Sequence, residues 1–434
     1  SVSKMSSFFA NASYSYLDKY ILTGALRYDG SDIIGNDNQF TPLWNVGLRW
    51  NLHREEFMKR WMWVDQFAVR GGFGYTGSID KNALPFVVMT LGQSVVYDGQ
   101  TVPTSFSYPN PNVKWQTKQD MNVGLDLSLF DYRLELGVNY YHNITRDVLD
   151  RKALPYSSGR NEVTENVADI YNSGWEIDLG VTLLKNKSFQ WYAKANIAIN
   201  DNKVKNTYYK DTEDLPRATL SNAHQFVENQ PVNGWYGYKF AGINPINGAV
   251  MTYTGNGEAT LDMSVSGATW PTPSVFYLGN LTPPVVGGFS TSANWKQLIF
   301  SANFEFKTGH KIKSFNTFRS LDARNRHTSE ANRWREPGDI TNVPAMSEAF
   351  TTYSSYMYDI LLEKGNYLRC SYMTLGYNLK PEWLHKIGFS TARLSFTAKN
   401  LFTISSYSGI DPALMGSFGY PNSRKYTITL NVGF

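Results

Sequence analysis

The residues that could support metal binding or catalysis are scattered through this sequence of 434 residues. Histidines that bind one metal ion together usually lie about two to five positions apart, and none of the 6 histidines has a neighbour at that spacing. The single cysteine, Cys370, excludes an internal disulfide and a cysteine-based metal site. The sequence contains neither a glycine-rich phosphate loop nor a nucleophile elbow. The histidines are His53, His142, His224, His310, His327 and His385.

One pair of carboxylates has a spacing that could serve general acid–base chemistry. Glu176 and Asp178 lie two positions apart, so in a strand both side chains point to the same face. A solvated strand face whose charges are balanced by Lys194 or Arg133 would show the same pattern, and we favour this second interpretation. The sequence therefore predicts no enzyme, no metal site and no cofactor.

The elements that would position such side chains are strands in which apolar and polar residues alternate. In residues 425–434 the alternation runs without a break to a terminal aromatic, Phe434. A period of two gives a strand one apolar and one polar face. An aromatic at the end of the last strand is typical of bacterial outer-membrane barrels. The alternation recurs upstream, for example in residues 122–129, 133–140, 175–183, 191–200 and 298–307.

The length of these strands and their flanking aromatics fit a bilayer. Strands of about ten to thirteen residues exceed the length that is usual in soluble domains and suffice for a tilted strand to cross the hydrocarbon. Aromatic residues near strand ends would form belts at the two interfaces. Such residues are Tyr16, Tyr20, Tyr28, Trp50, Trp115, Trp175 and Trp191.

Composition excludes other classes of protein. The chain has no run of eighteen apolar residues, which excludes transmembrane helices. Charged residues make up 18%, below the roughly 25% of soluble proteins. The net charge of +4 is small and no basic run occurs, so we predict no nucleic-acid partner.

Loop lengths alternate along the chain. If the last strand runs inward, the periplasmic connections are all short, whereas the alternate, extracellular ones are mostly long. We therefore predict an all-β fold, an antiparallel transmembrane β-barrel with about thirteen strands here. The odd count implies further strands, either N-terminal to Ser1 or on another chain. The predicted short connections are 17–19, 53–65, 130–132, 185–188, 295–297 and 381–389, and the others are 30–40, 79–116, 144–173, 201–284, 311–364 and 403–423.

The alternation also predicts which side chains face lipid. We assign Leu125, Leu136, Ile177, Phe304, Phe396 and Ile428 to the lipid face, and Asp126, Glu135, Asp178, Glu305, Arg393 and Thr429 to the interior. A shift of one residue in the register would move a whole strand to the opposite face.

Several segments, in order along the chain, carry a family resemblance. They are 20–31 (YILTGALRYDGS), 70–78 (RGGFGYTGS), 109–115 (PNPNVKW), 234–243 (GWYGYKFAGI), 332–334 (NRW), 367–369 (YLR) with 374–379 (TLGYNL), and 400–403 (NLFT) with 407–412 (YSGIDP). Gln116 stands where the family has a glutamate. Together these segments resemble the SusC-like (SusC/RagA) branch of TonB-dependent outer-membrane transporters, the nutrient importers of Bacteroidetes.

The resemblance implies the architecture of the whole protein. It implies a barrel of about 22 strands, with a plug domain and a TonB box N-terminal to Ser1. Residues 1–434 would then be the C-terminal portion of one barrel in the outer membrane of a Gram-negative bacterium. In the family, a SusD-like surface lipoprotein covers the barrel and the TonB complex pulls on the plug.

The function that the resemblance implies is active import of an oligomeric nutrient, either a glycan or a peptide. Two alternatives stay open: a scaffold subunit of a larger outer-membrane assembly without transport, and a passive pore. The segment preceding Ser1 would distinguish them, because import requires a plug and a TonB box.

Substrate contacts are expected in the two largest extracellular connections, 201–284 and 311–364, because loops carry binding residues more often than a scaffold does. Exposed aromatic rings bind sugars by stacking and also suit peptides. Within these loops we predict that Trp270, Tyr277 and Arg326 bind substrate. The alternative is that the aromatics pack on one another and the arginines pair with carboxylates of the barrel. The family-like segment 236–240 is expected to be structural.

Overall fold

The computed structural model describes residues 4–32, 39–79, 88–97, 100–107, 114–153, 157, 162–215, 226–261, 273–314, 331–345, 358–384, 388–416 and 419–434. Strands dominate these residues. In chain order they are β1 (Met5–Tyr16), β2 (Tyr20–Ser31), β3 (Phe40–Asn51), β4 (Val64–Ser78), β5 (Val88–Tyr97), β6 (Gln100–Ser107), β7 (Gln116–Leu129), β8 (Leu134–Ala153), β9 (Glu162–Lys185), β10 (Phe189–Lys205), β11 (Gly234–Gly237), β12 (Phe240–Ile243), β13 (Val250–Tyr253), β14 (Ala259–Leu261), β15 (Phe276–Asn280), β16 (Val285–Trp295), β17 (Leu298–Thr308), β18 (Lys311–Lys313), β19 (Leu362–Lys364), β20 (Tyr367–Asn378), β21 (Thr391–Ser405) and β22 (Lys425–Gly433).

One 13-stranded antiparallel sheet contains the long strands, in the order β1-β2-β3-β4-β7-β8-β9-β10-β16-β17-β20-β21-β22. Each strand therefore pairs with the next long strand in the sequence. The shorter strands lie in the connections as separate small sheets, β5-β6, β11-β15, β12-β13-β14 and β18-β19. The predicted all-β fold and its strand count are confirmed. Among the described residues, no helix has the length and apolarity that crossing a membrane requires.

The chain divides into two compact units, each of which contains part of the sheet. In the unit formed by Ser1–Ile177 and Asn200–Tyr208, a row of apolar residues runs across neighbouring strands. The row consists of Tyr20, Trp50, Val69, Leu125 and Val138, each opposite the next in the register. Directly opposed residues share a face, so this face is continuously apolar.

The opposite face of the same unit is charged. Asp126 Oδ2 lies 2.8 Å from Arg49 Nη1 and 3.6 Å from Arg70 Nε. Ser128 is opposite Glu135, which places Asp126 and Glu135 on one face, whereas Leu127 is opposite Leu136 on the other. The register agrees with the faces that the alternation predicts for these strands.

The unit formed by Asp178–Ile199 and Tyr209–Phe434 follows the same rule. Its apolar row consists of Phe300, Leu375, Phe396 and Ile428. On the other face, Glu305 is opposite Arg369 and Ser395 is opposite Thr429. Asp178 Oδ1 lies 3.8 Å from Lys194 Nζ, as expected for a charge balanced on the strand face.

The longest connections all lie at the end of the strands where the sequence predicts them, although 32–39 at that end is shorter than 52–63 at the other. The bounds of one predicted connection are also wrong. β8 extends to Ala153 and β9 begins at Glu162, so the connection expected at 144–173 spans only 154–161. The short connections are 17–19, 52–63, 130–133, 186–188, 296–297 and 379–390. Several of them use left-handed backbone, with φ of 54° at Leu17, 57° at Asp131 and 52° at Lys296. Such turns match the twist of the strands they join.

Candidate binding surface of the long connections

Three long connections pack together within the second unit. They are 209–284, 309–366 and 406–424, and we call their described residues the loop cluster. Its core contains Leu215, Val227, Tyr236, Tyr238, Ile243, Val250, Val275 and Tyr358, all buried. A structureless loop of such length is rare in compact folds, and the small sheets and this core give the described residues of these connections a fixed form.

The first two connections are joined through Tyr238. Its backbone forms a parallel bridge with Tyr358, and Asp359 N donates to Tyr238 O at 3.1 Å. The Asp359 carboxylate in turn accepts from Phe240 N at 2.9 Å. A second junction lies at Trp334, whose Nε1 donates to Pro245 O at 3.1 Å.

The third connection is joined to the second through Glu363. Its carboxylate accepts from Ser408 N at 2.7 Å and from Ser408 Oγ at 2.6 Å, and it also accepts from Ser314 Oγ. Tyr407 Oη donates to Lys313 O at 3.1 Å. Polar bonds therefore connect all three connections into one assembly.

A buried ion pair anchors the third connection to the sheet. Arg369 Nη2 lies 2.5 Å from Asp411 Oδ1, and the two side chains are 5% and 6% exposed. Arg369 Nε also donates to Thr403 Oγ1 at 3.1 Å, and Nη1 lies 3.7 Å from Glu305 Oε1. Both residues stand in segments that carry the family resemblance, but nothing in the sequence alone shows that these segments meet.

Of the predicted substrate-binding residues, the structure describes Tyr277; Trp270 and Arg326 lie outside the described residues. Tyr277 is on β15 directly opposite Tyr236, with ring centroids 5.9 Å apart. Tyr277 is 36% exposed, whereas Tyr236 is fully buried. The accessible ring of Tyr277 is therefore supported by the buried ring of Tyr236.

Burial raises the pKa of Tyr236 and of Tyr277 above the ordinary value of 10.0. A tyrosine is protonated at neutral pH even without such a shift, so each hydroxyl can donate a hydrogen bond. Among the described residues, Tyr236 Oη has no hydrogen-bond partner.

The other loop aromatics divide between packing and exposure. Within the family-like segment 236–240, Tyr236 and Tyr238 are fully buried, which confirms the structural role expected of these two residues. Trp235, just before the segment, is also buried. Tyr253 is 37% exposed, and its backbone N donates to Lys239 O at 3.0 Å. Lys239 Nζ lies 4.4 Å from the centroid of the Phe276 ring. These residues offer a second accessible aromatic surface with a cation.

Chemically, this surface is suited to binding by stacking and hydrogen bonding. Among the described residues, no group of three or more His, Cys, Asp or Glu side chains is arranged to hold a metal ion. Half-exposed rings beside phenol and ammonium donors fit a ligand that has both flat or apolar faces and polar edges.

Comparison with known proteins adds three kinds of match. The family model described as "TonB dependent receptor-like, beta-barrel" matches residues 1–305. TonB-dependent receptor P3 of Formosa agariphila is 29% identical, over 99% of this chain and 45% of that protein. TonB-dependent receptor SusC of Bacteroides thetaiotaomicron is 23% identical, over 99% of this chain and 43% of that protein.

Solved structures show the same fold. The structure of the RagAB peptide transporter matches with a TM-score of 0.80 and 24% identity, over 100% of this chain and 48% of that chain. The RagAB peptide importer in its open-open state matches equally well, with a TM-score of 0.80 and 25% identity, over 100% of this chain and 47% of that chain. The chain thus spans about half the length of the proteins it matches.

Proposed function

The chain belongs to the TonB-dependent receptor-like β-barrel family, and from that premise we propose that it forms the C-terminal part of a transporter importing an oligomeric nutrient, a glycan or a peptide. The family places the barrel in the outer membrane of Gram-negative bacteria. The proposed partners are a SusD-like surface lipoprotein and the TonB complex, the latter acting through a plug and TonB box outside this chain. An outer-membrane barrel has no ATP or ion gradient of its own, so the force for uptake has to come from such a partner.

The loop cluster is the observation that carries the proposal. Three long connections are held together by the Tyr238–Tyr358 bridge and the Glu363–Ser408 bonds, and Arg369–Asp411 anchors them to the sheet. A passive pore does not require loops with a packed core and polar anchors. A fixed surface with accessible rings, by contrast, suits a receptor that captures its ligand before transport.

The choice between glycan and peptide remains part of the proposal. The RagAB structures that share the fold are described as a peptide transporter and importer, which favours a peptide. Accessible aromatics such as Tyr253 and Tyr277 suit a sugar ring or a peptide side chain equally well.

Purification of the full-length protein from outer membranes, in mild detergent, tests the proposal. Mass spectrometry should identify a surface lipoprotein and an oligomeric ligand in the purified complex. A protein that carries neither, when prepared from cells growing on the oligomeric nutrients of their habitat, would favour the scaffold or the passive pore instead.

A further inference from the structure

One connection at the short-turn end carries a group of large, exposed apolar side chains. It joins β3 to β4 through residues 52–63. Phe57, Trp61, Met62 and Trp63 are exposed by 58%, 51%, 92% and 48% respectively. Single exposed apolar residues are normal, whereas large apolar side chains exposed next to one another, as at Trp61, Met62 and Trp63, indicate an interaction surface.

The segment is held in one conformation rather than being a loose loop. Backbone bonds between residues three apart recur along it, from Glu55 N to Leu52 O, Met58 N to Glu55 O, Trp61 N to Met58 O and Val64 N to Trp61 O, at 2.9 to 3.0 Å. Met58, 5% exposed, packs inward as the other side chains point out. The aromatic surface is therefore fixed before any partner binds.

The aromatic rings form a stack. The Trp61 and Trp63 ring centroids are 5.9 Å apart with an interplanar angle of 10°, and those of Trp63 and Phe130 are 5.8 Å apart at 22°. Phe130 lies in the neighbouring turn between β7 and β8, and its backbone N donates to Trp63 O at 2.9 Å. The surface thus spans two adjacent turns.

Glu55 ties the segment to the apolar face of the sheet. Its carboxylate accepts from Tyr20 Oη at 2.7 Å and from Trp50 Nε1 at 3.1 Å. Tyr20 and Trp50 begin the apolar row that continues through Val69 and Leu125. The exposed apolar group therefore adjoins the face that a membrane barrel turns to lipid.

Two basic residues stand beside the aromatic stack. Lys59 and Arg60 immediately precede Trp61, and both are exposed. Lys59 Nζ contacts Glu56 Oε1 at 2.7 Å, but its side chain is still 63% exposed. Tryptophan beside lysine and arginine at the edge of an apolar band is the composition that favours the boundary between acyl chains and lipid phosphates.

We propose that residues 57–63, together with Phe130, form a membrane anchor that inserts into the phospholipid leaflet at the short-turn end, with Lys59 and Arg60 at anionic headgroups. The apolar side chains would enter the upper acyl region, and the two cations would stay at the phosphates. The proposal rests on the membrane barrel and not on import, so a failed transport assay leaves it standing.

A depth measurement on the full-length protein in vesicles tests this anchor. Met62→Cys, in a Cys370→Ser background without other accessible cysteines, would carry an environment-sensitive fluorophore. Met62 is 92% exposed, so its replacement leaves the fold intact. Ser188→Cys, in the exposed polar turn between β9 and β10, is the matched control. The vesicles would contain dioleoylphosphatidylcholine, alone or in equal parts with dioleoylphosphatidylglycerol.

The expected result is quenching by a spin label at the headgroup–acyl boundary that is several-fold stronger for the probe at position 62 than at position 188. Quenching at position 62 should increase with phosphatidylglycerol, and Lys59→Gln with Arg60→Gln should abolish that increase. Equal quenching at the two positions would overturn the anchor. Protection of position 62 by an added protein, without lipid quenching, would also overturn it and assign the surface to a protein partner. If quenching at position 62 were the same with and without phosphatidylglycerol, the role proposed for Lys59 and Arg60 would be overturned.

Discussion

Arg369 on β20 and Asp411 in the connection between β21 and β22 form an ion pair of 2.5 Å, with both side chains almost completely buried. The pair links residues 42 positions apart. Asp411 also accepts from Ala413 N at 2.9 Å and from Asn422 N at 3.3 Å, so one carboxylate fixes both the connection and its attachment to the sheet. The order of the loop cluster therefore depends on a charge that the sheet supplies.

Removal of one member of this pair should be strongly destabilising. Asp411→Asn leaves Arg369 buried with the more distant Glu305 as its remaining counter-charge among the described residues, and such a loss costs about 3–5 kcal/mol. Urea unfolding of the full-length protein in vesicles measures the effect. Asp201→Asn, which breaks the exposed pair with Lys203, is the control and should cost less than about 1 kcal/mol. Equal effects of the two variants would show that the buried pair is not an anchor.

Glu55 should make the short-turn end sensitive to acid. Hydrogen bonds from Tyr20, Lys19 and Trp50 lower the pKa of Glu55 from 4.5 to about 2. Because the folded pKa lies below the unfolded value, the stabilisation is complete above about pH 4.5 and declines as the pH falls toward 2. The stability difference between wild type and Glu55→Gln should therefore be constant from neutral pH to about pH 5 and shrink below it.

A neighbouring carboxylate provides the control for this titration. Glu56 pairs with the exposed Lys59, and Glu56→Gln should change stability less than Glu55→Gln at every pH. A difference between wild type and Glu55→Gln that persists undiminished to pH 3 would contradict the assigned role of the carboxylate.

The aromatic residue that follows β22, Phe434, should matter for assembly more than for binding. Phe434 is 92% exposed, and its ring centroid lies 5.1 Å from that of Phe389. Phe434→Asp should lower the amount of assembled barrel, because it removes the packing of this ring on Phe389 beside β22 and puts a charge there. Tyr420→Asp, at a residue that is 98% exposed in the last connection, is the matched control. Normal surface levels together with lost uptake would count against this prediction.

Substrate contacts should come from the long connections. Tyr277→Ala and Trp270→Ala should each weaken ligand binding by the purified full-length complex by about tenfold, as loss of a stacking ring of about 1–1.5 kcal/mol implies. Arg326→Ala should weaken it if the ligand is anionic. Tyr132→Ala, at an exposed tyrosine of the opposite rim, is the control for the loss of a surface ring. If Trp270→Ala and Tyr277→Ala bind as wild type does, the aromatic surface is not the binding site.

The sheet could be predicted from the sequence because the alternation of apolar and polar residues that defines a strand is visible within that strand alone. The alternation of apolar and polar residues around Phe396 in β21, and around Ile428 in β22, assigns each residue to the apolar face. Because the apolar faces of neighbouring strands must match, a register shifted by one residue is excluded, and the two residues lie opposite each other. The extent of β8 was underestimated for the same reason. Beyond Asn143 neither face needs to be apolar, so the alternation fades although the strand continues to Ala153.

The loop cluster was only partly predictable. The structural role of Tyr236 and Tyr238 followed from the family-like segment, and their burial confirms it. The Arg369–Asp411 pair and the Glu363–Ser408 bonds join distant segments, and no local pattern encodes which distant groups will meet. Likewise, the sequence assigns Trp61 and Trp63 to a short connection and does not indicate that they form a surface. The structure shows this surface through the stacking of Trp63 on Phe130.

The central claim, energised import, is tested most directly by uptake in living cells. The full-length protein would be supplied with its co-purified ligand in labelled form, in cells with and without a functional TonB complex. We predict that the label is bound at the surface of both strains and accumulates inside only where TonB is functional. Equal accumulation in both strains would indicate a passive pore, and surface binding without accumulation in either would indicate a scaffold; either result would contradict the proposed transporter.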